Sequence, residues 1–219
     1  MGVPVLILGE SGSGKSASLR NFTKDEVGVM NVASKPLPFK TDIKPYNVNR
    51  AAKRKGCSRY DLIKSAIKQS KTKTLVIDDS QYLLAFDSFD KAKETGYGKF
   101  TTMAVNFEKL IEFCIDEIED DKIVYFLHHC ETNEMGKIKA KTIGKMLDSQ
   151  LTVEGLFSIV LFCQTDGKTH NFITQSDGFT TAKSPMGMFD SIIENDLKMV
   201  DKIIRDYYNL NNTEKENEE

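Results

Sequence analysis

Gly9-Glu10-Ser11-Gly12-Ser13-Gly14-Lys15-Ser16 follows the apolar run Val3 to Leu8 and leads into Ser16 to Phe22, which reads as a short helix. Strand, glycine-rich turn and helix in that order, with the spacing Gly-x4-Gly-Lys-Ser, form the pattern of a phosphate-binding loop. The glycines allow a tight turn whose successive N–H groups point inward, and the helix N-terminus adds partial positive charge. Gly9, Glu10, Ser11, Gly12, Ser13, Gly14, Lys15, Ser16 and Ala17 are therefore the expected binding residues for ATP or GTP. Lys15 is expected to reach the β- and γ-phosphates and to act in catalysis, and the Ser16 hydroxyl to ligate Mg2+.

Outward from that loop, apolar strands alternate with helices. Val27 to Val32 reads as a second strand, ended by the loop Lys35-Pro36-Leu37-Pro38. An irregular basic stretch, Lys40 to Arg59, gives way to a helix from Tyr60 to Gln69 with Ser58 as its cap. Thr74 to Ile77 is a buried strand that runs into Asp78-Asp79, Phe100 to Ile118 has helical apolar spacing, and the strand Lys122 to Leu127 ends in His128-His129. Phe157 to Cys163 and Asn171 to Gln175 read as a hairpin across Asp166-Gly167-Lys168, and Met188 to Tyr208 as a final amphipathic helix. The pattern predicts an α/β domain over 1–210 with a largely parallel central sheet flanked by helices, a C-terminal β-hairpin plus helix, and a disordered acidic tail over 211–219.

The chemistry falls at strand ends, where open α/β sheets bind ligands. Asp78 is expected to hold Mg2+ through its water shell, and Asp79 to orient or deprotonate an attacking water. Of the histidine pair, one is expected to sense the γ-phosphate; His128 is taken for that role, and which of the two it is depends on the face of the pleat that meets the nucleotide. No histidine metal cluster is expected, since the third histidine, His170, lies on another strand.

Composition narrows the remaining classes. In 219 residues with 40% apolar content there is room for one sizeable core, and the formal charge of −2 confines any nucleic-acid contact to local patches. Two patches qualify: the polar segment with Lys137, Lys139, Lys141 and Lys145, and the stretch with Arg50, Lys53 and Arg54. Cys57, Cys114, Cys130 and Cys163 have neither zinc nor disulfide spacing, which points to reduced thiols in a cytosolic protein. No apolar window is long enough to span a membrane, Val3 to Leu8 lacks the basic flank of a signal peptide, and position 6 does not fit a myristoylation motif. Arginine is absent between Arg59 and Arg205, so no arginine lid of a small-molecule kinase can be placed in the second half.

The order of phosphate loop, acid-ended strand, histidine-ended strand and then Ala182-Lys183-Ser184-Pro185 before a final helix resembles the RecA-like ATPases of phages, in particular the small phage nucleotide-binding proteins and Sak-type single-strand annealing ATPases. The resemblance implies a RecA-like core over about residues 3 to 208, ATP rather than GTP, and ATP hydrolysis. It also implies single-stranded DNA as ligand, assembly into a homo-oligomeric filament or ring, and a recombination or replication setting in a phage-infected cell. Lys183 matches the lysine that reaches the γ-phosphate of a neighbouring subunit in such families. One departure stands out: where a catalytic glutamate is expected after the second strand, the chain has Met30-Asn31-Val32-Ala33-Ser34. That departure favours a slow ATPase, or an ATP-gated loader or adaptor that docks a partner protein.

Overall fold

Val5 and Ile7 pack into one apolar layer while Leu6 and Leu8 pack into the other, because successive side chains on a strand point to opposite faces. This strand, β1 (Val3–Gly9), sits inside a sheet that runs through the whole of the computed structural model, which describes residues 1–144 and 152–210. The tail over 211–219 and Lys145 lie outside the described residues. Beside β1 the sheet contains β2 (Val27–Asn31), β3 (Tyr46–Asn47), β4 (Thr74–Asp78), β5 (Ile123–Thr132), β6 (Ile138–Ala140), β7 (Ile159–Thr165), β8 (His170–Ile173) and β9 (Ile192–Glu194), in the order β3-β2-β4-β5-β1-β7-β8-β9 with β6 paired to β5. Pairing is parallel from β3 to β7 and antiparallel at β7–β8, β8–β9 and β5–β6. The predicted α/β class with a mostly parallel sheet is thus observed.

Five helices of the described residues cover the sheet: α1 (Val48–Lys55), α2 (Arg59–Gln69), α3 (Gln81–Asp90), α4 (Gly98–Asp116) and α5 (Leu197–Tyr207). Ile63 and Ile67 of α2, Leu83 and Leu84 of α3 and Phe107, Leu110 and Ile111 of α4 fill one face with Leu6, Ile77 and Phe126. Leu197, Val200 and Ile204 of α5 fill the other with Val5, Val76 and Tyr125. Full burial of each such side chain is worth about 1.5–3 kcal/mol. On the α5 side a polar knot completes the seam: Asp201 Oδ1 accepts from Thr74 Oγ1 at 3.0 Å and from Tyr125 OH at 3.1 Å, and Arg205 Nε donates to Asp201 Oδ2 at 2.7 Å.

Four elements differ from the sequence-based expectation. The helix expected over Ser16 to Phe22 is a single 3-10 turn, Ser16–Leu19, because Leu19 and Phe22 are both drawn into the core. The basic stretch is irregular only as far as Pro45: Tyr46–Asn47 forms β3, Val48, Ala51 and Ala52 give the helix that follows a buried stripe, and Gly56, in the left-handed conformation at φ 65°, ends α1. The strand before the histidine pair runs on through Thr132, so His128 and His129 lie within β5 and not at its end. The final helix starts at Leu197 and not at Met188: Ile192 to Glu194 adds a ninth strand to the hairpin, and Asp196 caps the helix by accepting from Lys198 N at 3.0 Å.

Candidate functional site

Parallel pairing brings the loop after β1, the ends of β2 and β4 and the middle of β5 to one edge of the sheet. Gly9 pairs with His129, Asn31 with Asp78, and β5 lies between the loop strand β1 and the acid strand β4. Between them is a cavity of about 260 Å3 lined by Ser11, Gly12 and the run Gly14 to Ala17 of the loop together with Lys35, Pro38, Asp79, His129 and His170. A larger hollow of about 510 Å3 at the opposite end of the sheet has an apolar wall of Val3, Pro4, Ile115 and Leu156. The convergent charged groups are in the smaller one, which is where chemistry is possible.

The loop is held from both sides. His170 Nδ1 donates to the Ser13 carbonyl at 2.7 Å and Cys163 Sγ donates to the same oxygen at 3.0 Å. Gly14 has φ +105°, and a Cβ there would lie 2.9 Å from His170 Nδ1, so the position tolerates only glycine. Lys15 is buried, and its ammonium donates to the carbonyls of Gly9 at 2.7 Å and Glu10 at 2.8 Å. Burial pushes its pKa below the ordinary lysine value, with nearby thiols and the Asp79 and Asp78 carboxylates pulling the other way. Ser13 Oγ is buried without a partner.

On the acid side, Ser16 Oγ donates to Asp78 Oδ1 at 2.8 Å. A hydroxyl and a carboxylate in contact at the mouth of a glycine-rich loop are the oxygen donors a hard divalent cation takes together with phosphate oxygens and water. Burial, followed by the adjacent Asp79 charge, raises the pKa of Asp78. Asp79 has left-handed backbone, φ 61°, which turns its side chain away from the direction the strand would impose. Its Oδ2 pairs with Lys35 Nζ at 2.7 Å, and its Oδ1 lies 3.3 Å from His129 Nε2. Burial alone would raise its pKa, but the His129 and Lys35 hydrogen bonds outweigh that and hold the carboxyl below the usual range.

His128 is placed differently from the expectation that put it at the phosphate. It is fully buried against Phe107 of α4, with ring centroids 5.6 Å apart. Nε2 donates to the Lys141 carbonyl at 2.9 Å, which leaves Nδ1 as acceptor for the Ser80 hydroxyl at 2.9 Å in the neutral ring. Burial lowers its pKa to about 4. His129, one residue on and therefore on the opposite face, lines the cavity instead. Lys183 is not brought to the cavity of its own chain: it bridges Val160, which pairs with Leu6, roughly 10 Å along the strand from Gly9 at about 3.3 Å per residue.

The two basic patches also separate. Lys137 is exposed in the turn between β5 and β6, Lys139 pairs with Glu131 at 3.3 Å, and the Lys141 amide donates to the His129 carbonyl at 2.9 Å, so this hairpin is pinned to the site but mixes its charges. On α1, Arg50, Lys53 and Arg54 are exposed on one face at i, i+3 and i+4, with Lys55 beside them and no ion pair among the described residues.

Lys35 and His170 line the cavity without a signal in the sequence, and of the histidine pair, which the sequence leaves to the face of the pleat, it is His129 that lines it and not His128. Lys35 lies in a proline loop with no periodic signal, and His170 arrives through strand pairing across the sheet. Ser34, just before Lys35, has φ 58° and a buried hydroxyl without a partner. Ser34→Gly is therefore expected to raise stability by about 1 kcal/mol, read from the urea midpoint; a loss of stability would show that the hydroxyl has a partner in solution.

No protein-family model matches the chain, and no curated protein sequence does. Fold and site define an α/β chain with a mostly parallel sheet, in which residues of the glycine-rich loop, the buried Lys15 and Asp79 line one cavity and Ser16 at that cavity is bonded to Asp78. Among the described residues no helix is long and apolar enough to cross a membrane.

Proposed function

We propose that the chain is a RecA-like ATPase that binds ATP and Mg2+ at this cavity and works on single-stranded DNA in a phage recombination or replication system. The observation that carries the nucleotide reading is the 2.8 Å contact of Ser16 with Asp78 beside a glycine-rich loop on a parallel strand. The cavity is smaller than the about 300–1,000 Å3 of a typical ligand pocket, so it suits the phosphate chain. An adjoining open depression, sharing Ala17 and His170 and bordered by Arg20, Asn171 and Asn195, has space for ribose and base.

In this reading Lys15 leaves the Gly9 and Glu10 carbonyls for the β- and γ-phosphates, and Ser16 and Asp78 hold the cation. Mg2+, when bound, supplies charge neutralisation across the phosphate oxygens. Asp79, ionised and oriented by His129, positions water for attack. His170 and Cys163 keep the loop in shape.

The DNA reading is supported by α1 more than by the β5–β6 hairpin, since its cations are exposed and make no ion pair among the described residues. Replacing Arg50, Lys53 and Arg54 together by glutamate is expected to abolish single-strand binding, whereas glutamine at all three should lower the salt slope of log K by about 2. Fluorescence anisotropy with an oligonucleotide at several salt concentrations reads both, and an unchanged slope in the glutamine variant would remove α1 from the interface. Purified protein assayed for phosphate release with and without single-stranded DNA tests the function as a whole, with Lys15→Ala as background.

One observation favours a second reading, the ATP-gated loader or adaptor. The residue aligned with Asp78 at the end of β2 is Asn31, buried and uncharged, so no glutamate base stands there. Nucleotide binding without DNA-stimulated turnover, together with docking of a partner protein that follows nucleotide state, would decide for it.

A further inference from the structure

We propose that Lys35 senses the terminal phosphate, held by Asp79 when that phosphate is absent and drawn from Asp79 when it arrives. The proposal rests on the nucleotide reading above and adds a residue to it that no motif contains. Among the described residues Lys35 and Lys15 are the lysines that line the cavity and no arginine lines it; Lys15, which in the nucleotide reading is shared between the β- and γ-phosphates, is a single cation for both. A nucleoside triphosphate carries about one more charge than the diphosphate, and its extra phosphoryl group needs a further cation in a site without arginine.

The Lys35–Asp79 pair is built unequally. Asp79 is 11% exposed, fixed by its left-handed backbone and by His129, while the Lys35 side chain is 57% exposed on a flexible stem beside the Tyr82 ring, 5.2 Å from its centroid. If the pair opens, the lysine is the partner that moves. The segment that carries it is also poorly satisfied: Ser34 is left-handed, and both Ser34 Oγ and Asn31 Oδ1 are buried without partners. Such unmet cost close to a site marks a segment with a second arrangement within reach. Departure of Lys35 would leave Asp79 Oδ2 open toward the cavity while Oδ1 keeps His129, so arrival of the triphosphate itself would free the carboxylate that positions water.

Equilibrium binding of ATP and of ADP with Mg2+ to the full chain tests this. Lys35→Gln is expected to weaken ATP about tenfold and to change ADP less than twofold, while Lys35→Arg keeps the ATP preference. Asp79→Asn should raise the ratio of ATP to ADP affinity when Lys35 is present and not in the Asp79→Asn, Lys35→Gln double variant. Equal effects of Lys35→Gln on both nucleotides, or none on either, would overturn the role of Lys35 while leaving the nucleotide site standing. Wild-type protein that binds neither nucleotide would overturn both.

Discussion

Lys15→Ala is expected to weaken ATP and ADP binding at least about 100-fold while the protein stays folded. In the structure the ammonium is buried and donates to two loop carbonyls, so it is already positioned in the loop that would take the phosphates. Replacing it removes two or more charge-assisted hydrogen bonds to phosphate, each worth about 1.5–3 kcal/mol. Isothermal titration of both nucleotides with Mg2+, alongside a thermal melt, measures the effect. Unchanged affinity in the folded variant would mean that the glycine-rich loop is only a turn, and the ATPase proposal would go with it.

Acid should destabilise the protein through His128, which is fully buried. The folded-state pKa of about 4 lies below the ordinary 6.5, so between these values the unfolded chain binds a proton that the folded chain refuses. Stability is therefore full above about pH 6.5 and declines as pH falls toward 4, by about 3 kcal/mol from this group. Urea unfolding at pH 7 and pH 4.5 should show that loss in the wild type and a smaller one in His128→Gln, the difference being the histidine's share. His128→Ala should cost about 3 kcal/mol at pH 7, because it opens a cavity against Phe107 and strips Lys141 O of its donor. Equal acid sensitivity in wild type and His128→Gln would place the titration elsewhere.

These two predictions separate the lysine of the glycine-rich loop from a histidine that supports the sheet behind the loop. The distinction matters for the histidine pair as a whole, since His129 meets the cavity through Asp79 and Tyr82, with ring centroids 5.8 Å apart in the latter case. Loss of stability from a variant at position 128 and not at position 129 would follow from the alternation along β5 together with the packing of α4 on the His128 face.

The glycine-rich loop, the strand before it and the two acids at the end of β4 were legible in the chain itself, because each is encoded by neighbours in sequence: apolar runs by burial, glycines by backbone freedom, acids by the point where the run stops. The mostly parallel α/β class followed from the alternation of such runs with helical spacing. What lay beyond local reading depended on pairings across the sheet. The apolar residues Phe189, Ile192 and Ile193 fit a helical stripe as well as a strand, and only the free edge of β8 decided for β9. His128 and His129 are equivalent as neighbours in sequence; the helix layer formed by α4 chose which of them is core. Lys35 and His170 reached the cavity because the β2 loop and β8 converge there in space, and a contact of that kind leaves no period, spacing or composition behind in the sequence.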